Sequence, residues 1–372
     1  MGVLLGAWVV VVARGAGASW RAEIGGSTLQ TLQLYTMGRI ATNANFPIAH
    51  VGRTAGQLAW VGMGRTTWTD VPAVLRAEVE EILGGPVTRA TSQSGGYSPG
   101  GADRLSTADG RRAFVKTLAR SRNADGFRLH EQEAAVVAHL PPTVRAPRLL
   151  ATLRATIDTD DWIAIVLEDV DGRHPGHARD GSDVAAVLDA LDTLPLAPGS
   201  LAGLPRLTDE LTGEFGAWDR MTTDGLPEVV PAHVAAAASA LARAARPAAG
   251  LLAGEHLAHV DCRADNLLVD ADGLVWVVDW PWAAVGAHWF DPLTYLLDVL
   301  VRGEDCDVEH HLATHPVFAG VPSATVDAVL AGLAGTFFEK ASHPAVPGMP
   351  TLRAFQRAEG LAAAEWLLRR WR

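Results

Sequence analysis

Residues 259–266 read His-Val-Asp-Cys-Arg-Ala-Asp-Asn, between the apolar runs LLAGEHLA and LLVD. Charged and amide side chains beside core-like sequence are costly unless they are paired or used. Downstream, Leu267 to Val269 has the pattern of a short strand, Asp270-Ala271-Asp272-Gly273 is turn chemistry, and Leu274 to Val278 reads as the returning strand. An antiparallel hairpin centred near Asp272 sets Asn266 almost opposite Asp279 at its open end. A carboxylate and an amide oxygen on neighbouring strands can share one hard cation such as Mg2+. Asp261, one short loop upstream, is then placed to meet a substrate beside that metal and to accept the proton of an attacking hydroxyl.

His259-x-Asp261-x-x-x-x-Asn266, followed by Asp279-Trp280, resembles the catalytic and metal-binding segments of the protein-kinase-like fold, in its aminoglycoside phosphotransferase branch. The resemblance covers about residues 68–372. It implies an α+β, two-lobed fold with a small strand-rich N-lobe and a larger helical C-lobe, ATP or GTP as co-substrate, Mg2+, and a small-molecule hydroxyl as acceptor. Asp261 is implied as the catalytic base, with Asn266 and Asp279 as metal ligands. Lys116, inside the apolar strand RAFVK, would reach the nucleotide phosphates and pair with Glu133 of HEQEAAVVAHL, with Glu131 as second choice. A Lys in such a strand is rare without a partner. Glu168-Asp169-Val170 would hold adenine through the backbone at Glu168 and Val170. The loop SQSGGYSPGGADRL departs from G-x-G-x-x-G, and Gly96, Tyr97 and Ser98 are its candidates for covering the phosphates. His259 is expected to be an orienting core residue. Arg263 either counters phosphate charge or braces the loop through Asp265.

Composition is that of an ordinary globular protein. The 372 residues are 48% hydrophobic and 20% charged, enough for a core of roughly two domains or lobes. A net charge of -11 without a long basic run argues against nucleic acid as a partner. Cys262 and Cys306 form neither a disulfide framework nor a zinc spacing, which suits a reducing cytoplasm. The apolar run Val3 to Val12 is too short to span a membrane, and no basic segment precedes it as in a signal peptide. Residues 1–65 are expected to be a disordered or mis-assigned extension, with the fold starting near Met63. The oligomeric state is not legible.

The boundary between an N-terminal nucleotide-binding lobe (66–168) and a C-terminal lobe (169–372) rests on a change of pattern. A helix is expected after Thr69-Asp70-Val71-Pro72, stopped by Gly84-Gly85-Pro86. Strands are expected over 87–93, 112–118, 148–157 and 162–167, with a helix over 127–140. WIAIVL reads as a buried strand by its unbroken apolarity. Beyond 169, helices are expected over 182–194, 209–221, 230–249, 292–301, 323–340 and 352–371, with 266–280 as the only strand-like piece. Asp291 reads as a helix N-cap, and Trp276, Trp280, Trp282 and Trp289 as core packing. Acidic residues Asp209, Glu210, Glu214, Asp219, Asp224 and Glu228 would suit a cationic aminoglycoside or be ordinary surface. Homoserine, choline, sugar and macrolide acceptors stay open. Two other readings compete: a nucleotide-binding module without turnover, and a metal hydrolase built on His256, His259, Asp261 and Asp265. The acidic turn from Glu304 to His311 matches no metal template.

Overall fold

A computed structural model of the protein describes residues 23–24, 27–28, 66–93, 100–176, 182–346 and 349–372. The chain divides into two compact units, Met1–Val61 and Gly62–Arg372. In the first, only the antiparallel pair β1 (Glu23–Ile24) and β2 (Ser27–Thr28) is described. The expectation of an extension over 1–65 otherwise lies outside the described residues.

The second unit opens with a five-stranded antiparallel sheet. Its strands are β3 (Val87–Ser92), β4 (Gly101–Thr107), β5 (Arg112–Ala119), β6 (Leu149–Ile157) and β7 (Asp160–Leu167), in the order β3-β4-β5-β7-β6. WIAIVL falls in β7, between β5 and β6, which explains its apolarity on both faces. One sheet face packs Leu105, Ala113, Val115, Ala164 and Val166 against Leu75, Val79 and Leu83 of helix α1 (Ala73–Leu83). The other face meets α2 (Ala124–Val137), whose Phe127 joins Leu118 and Ile163 in a second cluster. Asn123 caps α2 by accepting from Gly126 N–H at 2.8 Å.

The expected helix start at Thr69-Asp70 is corrected. Trp68–Asp70 is a separate 3-10 turn closed by a Thr67–Asp70 capping box, and Pro72, with extended ψ, occupies the α1 cap position. The residue before a proline resists the helical region, so the turn cannot run into α1. Gly84 does end α1, at φ 72. β4 was hidden: its first residues, Gly101-Ala102, read as loop after SGGYSP.

After β7 the chain is mostly helical. Helices α3 (Ser182–Asp192), α4 (Leu207–Phe215), α5 (Ala217–Asp224), α6 (Ala232–Ala235) and α7 (Ala238–Ala245) precede the segment from 256 to 286. The single helix expected over 209–221 is therefore two, parted at Gly216, and 230–249 is broken as well. Gly216 serves as cap to both neighbours. No residue at Ala236-Ala237 forbids a helix, and that break has no local cause in the sequence. Helices α8 (Phe290–Val301), α9 (Val308–Thr314), α10 (Ser323–Ser342) and α11 (Leu352–Arg370) follow. Gly335 of α10 lets Trp218 of α5 lie on its backbone: a Cβ there would meet the indole at 2.6 Å.

Four short strands make up the segment between. β8 (His256–Ala258) pairs with β11 (Ala284–Gly286), and β9 (Leu267–Val269) pairs with β10 (Val275–Val277). The β8–β11 ribbon corrects the expectation of one strand-like piece, since three-residue strands leave almost no periodic signal. Among the described residues no helix is long and apolar enough to cross a membrane.

Candidate active site

The β9–β10 hairpin forms as the sequence requires, with Leu267 across from Val277. Val278 N–H donates to the Asn266 carbonyl at 2.9 Å, so Val278 faces Asn266 and Asp279 lies one residue beyond. Asp279 takes φ 66, turning out of the strand. Asp261 and Asn266 sit on the loop between β8 and β9. The Asn266 amide nitrogen donates to the Asp261 carbonyl at 2.8 Å and to its carboxylate at 3.0 Å. That spends the Asn266 nitrogen and leaves its amide oxygen as the remaining polar atom.

Lys116 of β5 closes the group from above. Its Nζ donates to both Glu133 oxygens, at 2.7 and 2.8 Å, and to Asp279 Oδ1 at 2.7 Å. Glu133, on α2, is therefore the partner, while Glu131 lies outward beside Arg154 at 3.5 Å. Burial opposes the Lys116 charge, but Asp279 and Glu133 outweigh it and hold the ammonium above its ordinary range. Burial also works against Asp279, and Lys116 beside it keeps that carboxyl below its usual value. For Glu133 burial wins, lifting its carboxyl to about 7 against the pull of Lys116. A strand lysine, a helix glutamate and the hairpin aspartate thus meet at one ammonium.

The Phosphotransferase enzyme family model matches residues 99–320, more than half of the chain. The chain belongs to this family. Phosphotransferase chemistry is thereby set for it, and its kinase-like α+β fold agrees with solved structures. A thermostable mutant of aminoglycoside phosphotransferase APH(4)-Ia in apo form is 16% identical, with TM-score 0.53 over 78% of this chain and 98% of that one. The same enzyme in ternary complex with AMP-PNP and hygromycin B is 17% identical, with TM-score 0.54 over 79% and 98%. Macrolide 2'-phosphotransferase MphH from Brachybacterium faecium is 18% identical, with TM-score 0.49 over 79% and 96%. None of the curated proteins matches the chain in sequence.

In this phosphotransferase the loop from His259 to Asn266 is braced by α8. His259 is fully buried, and its N–H and that of Val260 donate to the two Asp291 oxygens at 2.5 and 2.8 Å. The His259 ring lies edge-on to Trp280, with Nε2 2.9 Å from the Val278 carbonyl. Its contacts are those of a packed core residue. Asp291 is not the N-cap of α8, a position held by Trp289; it lies in the first turn and reaches into the loop. Two helical turns on, Asp298 accepts from Ala264 N–H at 3.0 Å and from Arg302 at 2.8 Å. Only Trp280 of the four tryptophans expected in the core is fully buried; Trp276, Trp282 and Trp289 are half-buried.

Arg263 adopts the bracing role more fully than expected. It bonds Asp261 Oδ1 at 2.6 Å and Asp265 at 3.0 and 3.1 Å, and lies 5.3 Å above the Phe355 ring of α11. Glu359, one turn along α11, feels the same loop: burial pushes its carboxyl up to about 8, with Arg263 pulling against it. Neither Asp298 nor Glu359 carries a local signal, because each reaches the loop through tertiary packing.

The remaining candidates separate. Glu168 N–H donates to the Arg148 carbonyl at 2.9 Å and its carboxylate bonds Arg148 Nε at 3.1 Å, so its side chain faces the sheet edge. The Val170 carbonyl accepts from Arg104 at 2.7 Å. Gly96, Tyr97 and Ser98 lie outside the described residues. Of the acidic set, Glu214 pairs with Lys340 at 2.8 Å and Asp219 with Arg246 at 3.1 Å, so these charges are already answered within the protein. Among the described residues no group of three His, Cys, Asp or Glu could hold a metal, and His256 stacks on His288 at 4.4 Å. A zinc hydrolase finds no cluster there. One carboxylate and one amide oxygen, Asp279 and Asn266, are the small hard-oxygen set that suits Mg2+, which keeps several waters and borrows phosphate oxygens.

Proposed function

We propose that this small-molecule phosphotransferase moves the γ-phosphoryl group of ATP, or of GTP, to a hydroxyl of its acceptor. The observation that carries the reading is Lys116 held between Glu133 and Asp279, with Asp279 next to the Val278 whose N–H bonds Asn266, the partner of Asp261. Asn266 and Asp279 would hold Mg2+, which when bound supplies charge neutralisation at the phosphates. Lys116, fixed by Glu133, adds a second positive charge at the phosphates. Asp261 orients the acceptor hydroxyl and receives its proton. Its Oδ2 is steadied by Asn266, and Oδ1 shares its charge with Arg263. Arg263 therefore sets how much negative charge Asp261 offers to the hydroxyl. Phosphoryl transfer asks little covalent chemistry of a protein, so positioning and fixed charge supply most of the rate.

The acceptor class is set by the pocket around Asp261, and the acidic residues of α4 and α5 do not single out a polycation. An aminoglycoside, an amino alcohol and a sugar are the first acceptors to compare. The test follows nucleoside diphosphate release with ATP or GTP, Mg2+ and that panel. One acceptor should turn over, Asp261→Asn should lower kcat by about three orders of magnitude or more, and ADP should still bind that variant. An intact protein that binds ATP yet phosphorylates nothing would favour a nucleotide-binding module. Full activity in Asp261→Asn would overturn the assignment of the base.

A further inference from the structure

The face of the sheet that carries Lys116 also carries an arginine, Arg104. Along β5, buried Ala113 and Val115 alternate with half-buried Phe114 and Lys116. Residues opposite one another in an antiparallel pair share a face. Lys116 pairs with Ala102, and Phe114 pairs with Arg104 on one side and Leu167 on the other. Arg104, Phe114 and Leu167 therefore form a row two residues from Lys116, on its face. Two residues of strand span about 7 Å, the direction from phosphates toward the base if Lys116 meets the phosphates. The row runs straight into residues 168–170.

Arg104 does not end at the row. Its Nε bonds Asp169 Oδ1 at 2.6 Å and its Nη2 bonds the Val170 carbonyl at 2.7 Å. Arg112, on the same face, takes the other Asp169 oxygen at 3.0 Å. The Asp169 side chain is 5% exposed, so this carboxylate is built into the junction rather than lying on it. Arg104 thus holds the Asp169 carboxylate and the Val170 carbonyl together.

We propose that Arg104 is a positioning residue for the nucleotide base: it fixes the backbone at Asp169-Val170 that meets the base edge and lays its stem and guanidinium over the ring. A purine face attracts a guanidinium, and the planar fork can hold a carboxylate and a carbonyl at once, which an ammonium cannot. The proposal rests on the reading of this cleft as a nucleotide site. It concerns one part of the nucleotide only, and that makes it separable from the wider reading.

The experiment measures dissociation constants, without acceptor, for three probes: ADP, adenosine, and Mg2+ tripolyphosphate. The proteins are the full chain, Arg104→Met, Arg104→Lys and Asp169→Asn. Arg104→Met should weaken ADP and adenosine by about tenfold and leave tripolyphosphate within twofold. Arg104→Lys should fall between, and Asp169→Asn should follow Arg104→Met in direction. Equal loss of all three probes would reduce Arg104 to a structural brace and overturn the proposal, as would unchanged or tighter ADP binding in Arg104→Met. Should Arg104→Met not fold, Arg104→Lys decides by the same ratio of adenosine to tripolyphosphate. If the unaltered protein binds none of the probes, the nucleotide reading itself fails, a result distinct from loss in the variants alone.

Discussion

Val260, between His259 and the proposed base, has φ 73. A β-branched residue in that region is a backbone outlier, worth about 1–3 kcal/mol of strain. The carboxylate of Asp291 holds the peptide in place by taking the N–H groups of both His259 and Val260. Val260 is only half-buried, so removing its side chain loses little packing. Val260→Gly is expected to raise stability by about 1 kcal/mol, less than the full strain because glycine also frees the unfolded chain. Urea denaturation checks it, and a destabilised variant would mean that the valine side chain holds the loop by contact. Asp279 shares the positive φ, but a short polar side chain tolerates it better.

At the scale of elements, α8 acts as a ruler for the proposed catalytic loop. Asp291 and Asp298 are seven residues apart, two turns on one helix face, and they take backbone N–H groups at opposite ends of the loop: His259 and Val260 at one, Ala264 at the other. Burial pushes both carboxyls up, and the hydrogen bonds they accept work against that. Asp298→Ala strands a buried N–H and leaves Arg302 with Glu304 as its carboxylate partner, and should cost about 1–3 kcal/mol of stability. The loop would loosen while Lys116 and Glu133 stay in place. Steady-state kinetics should then show kcat falling by about tenfold or more with KM for nucleotide nearly unchanged. A matched rise in that KM would show that the helix also governs the nucleotide side. The elements themselves were unequally legible. The β9–β10 hairpin and the Lys116 strand were readable because their signals are local: turn residues, alternation, a lysine in an apolar run. β4 was masked by the glycines before it, and β8 and β11 are too short to have a period. The HVDCRADN segment carried most of the site for a related reason, since Asp261, Asn266 and Asp279 are joined by one loop and one hairpin.

At the scale of the whole molecule, contacts that bring distant parts of the chain together were not legible. Glu359 is the sharpest case: nothing in QRAEGLA distinguishes it from a solvated helix glutamate, yet α11 carries it to where it feels Arg263 and Asp261. Its carboxyl, pushed to about 8 by burial against the pull of Arg263, makes a statement about stability. Below the ordinary glutamate range the side chain is neutral in the folded and unfolded chain alike. As pH rises from there toward about 8, the unfolded chain loses the proton and the folded chain keeps it, so folding loses stability across that window. Above about 8 the folded state carries the charge and its full burial cost. Glu133, lifted by burial to about 7, acts in the same direction, and buried His130, lowered to about 4, acts below it in the opposite one. Comparing Glu359→Gln with the unaltered protein cancels both of those terms. Glutamine has the shape of the protonated acid and cannot ionise. The variant should match the unaltered protein at pH 4 and exceed it at pH 9 by about 1 kcal/mol or more, a figure discounted because the residue is only half-buried. Thermal unfolding at the two pH values measures the difference. A constant offset at both would mean that Glu359 acts through packing, and a loss at pH 9 would mean that its charge is needed by Arg263.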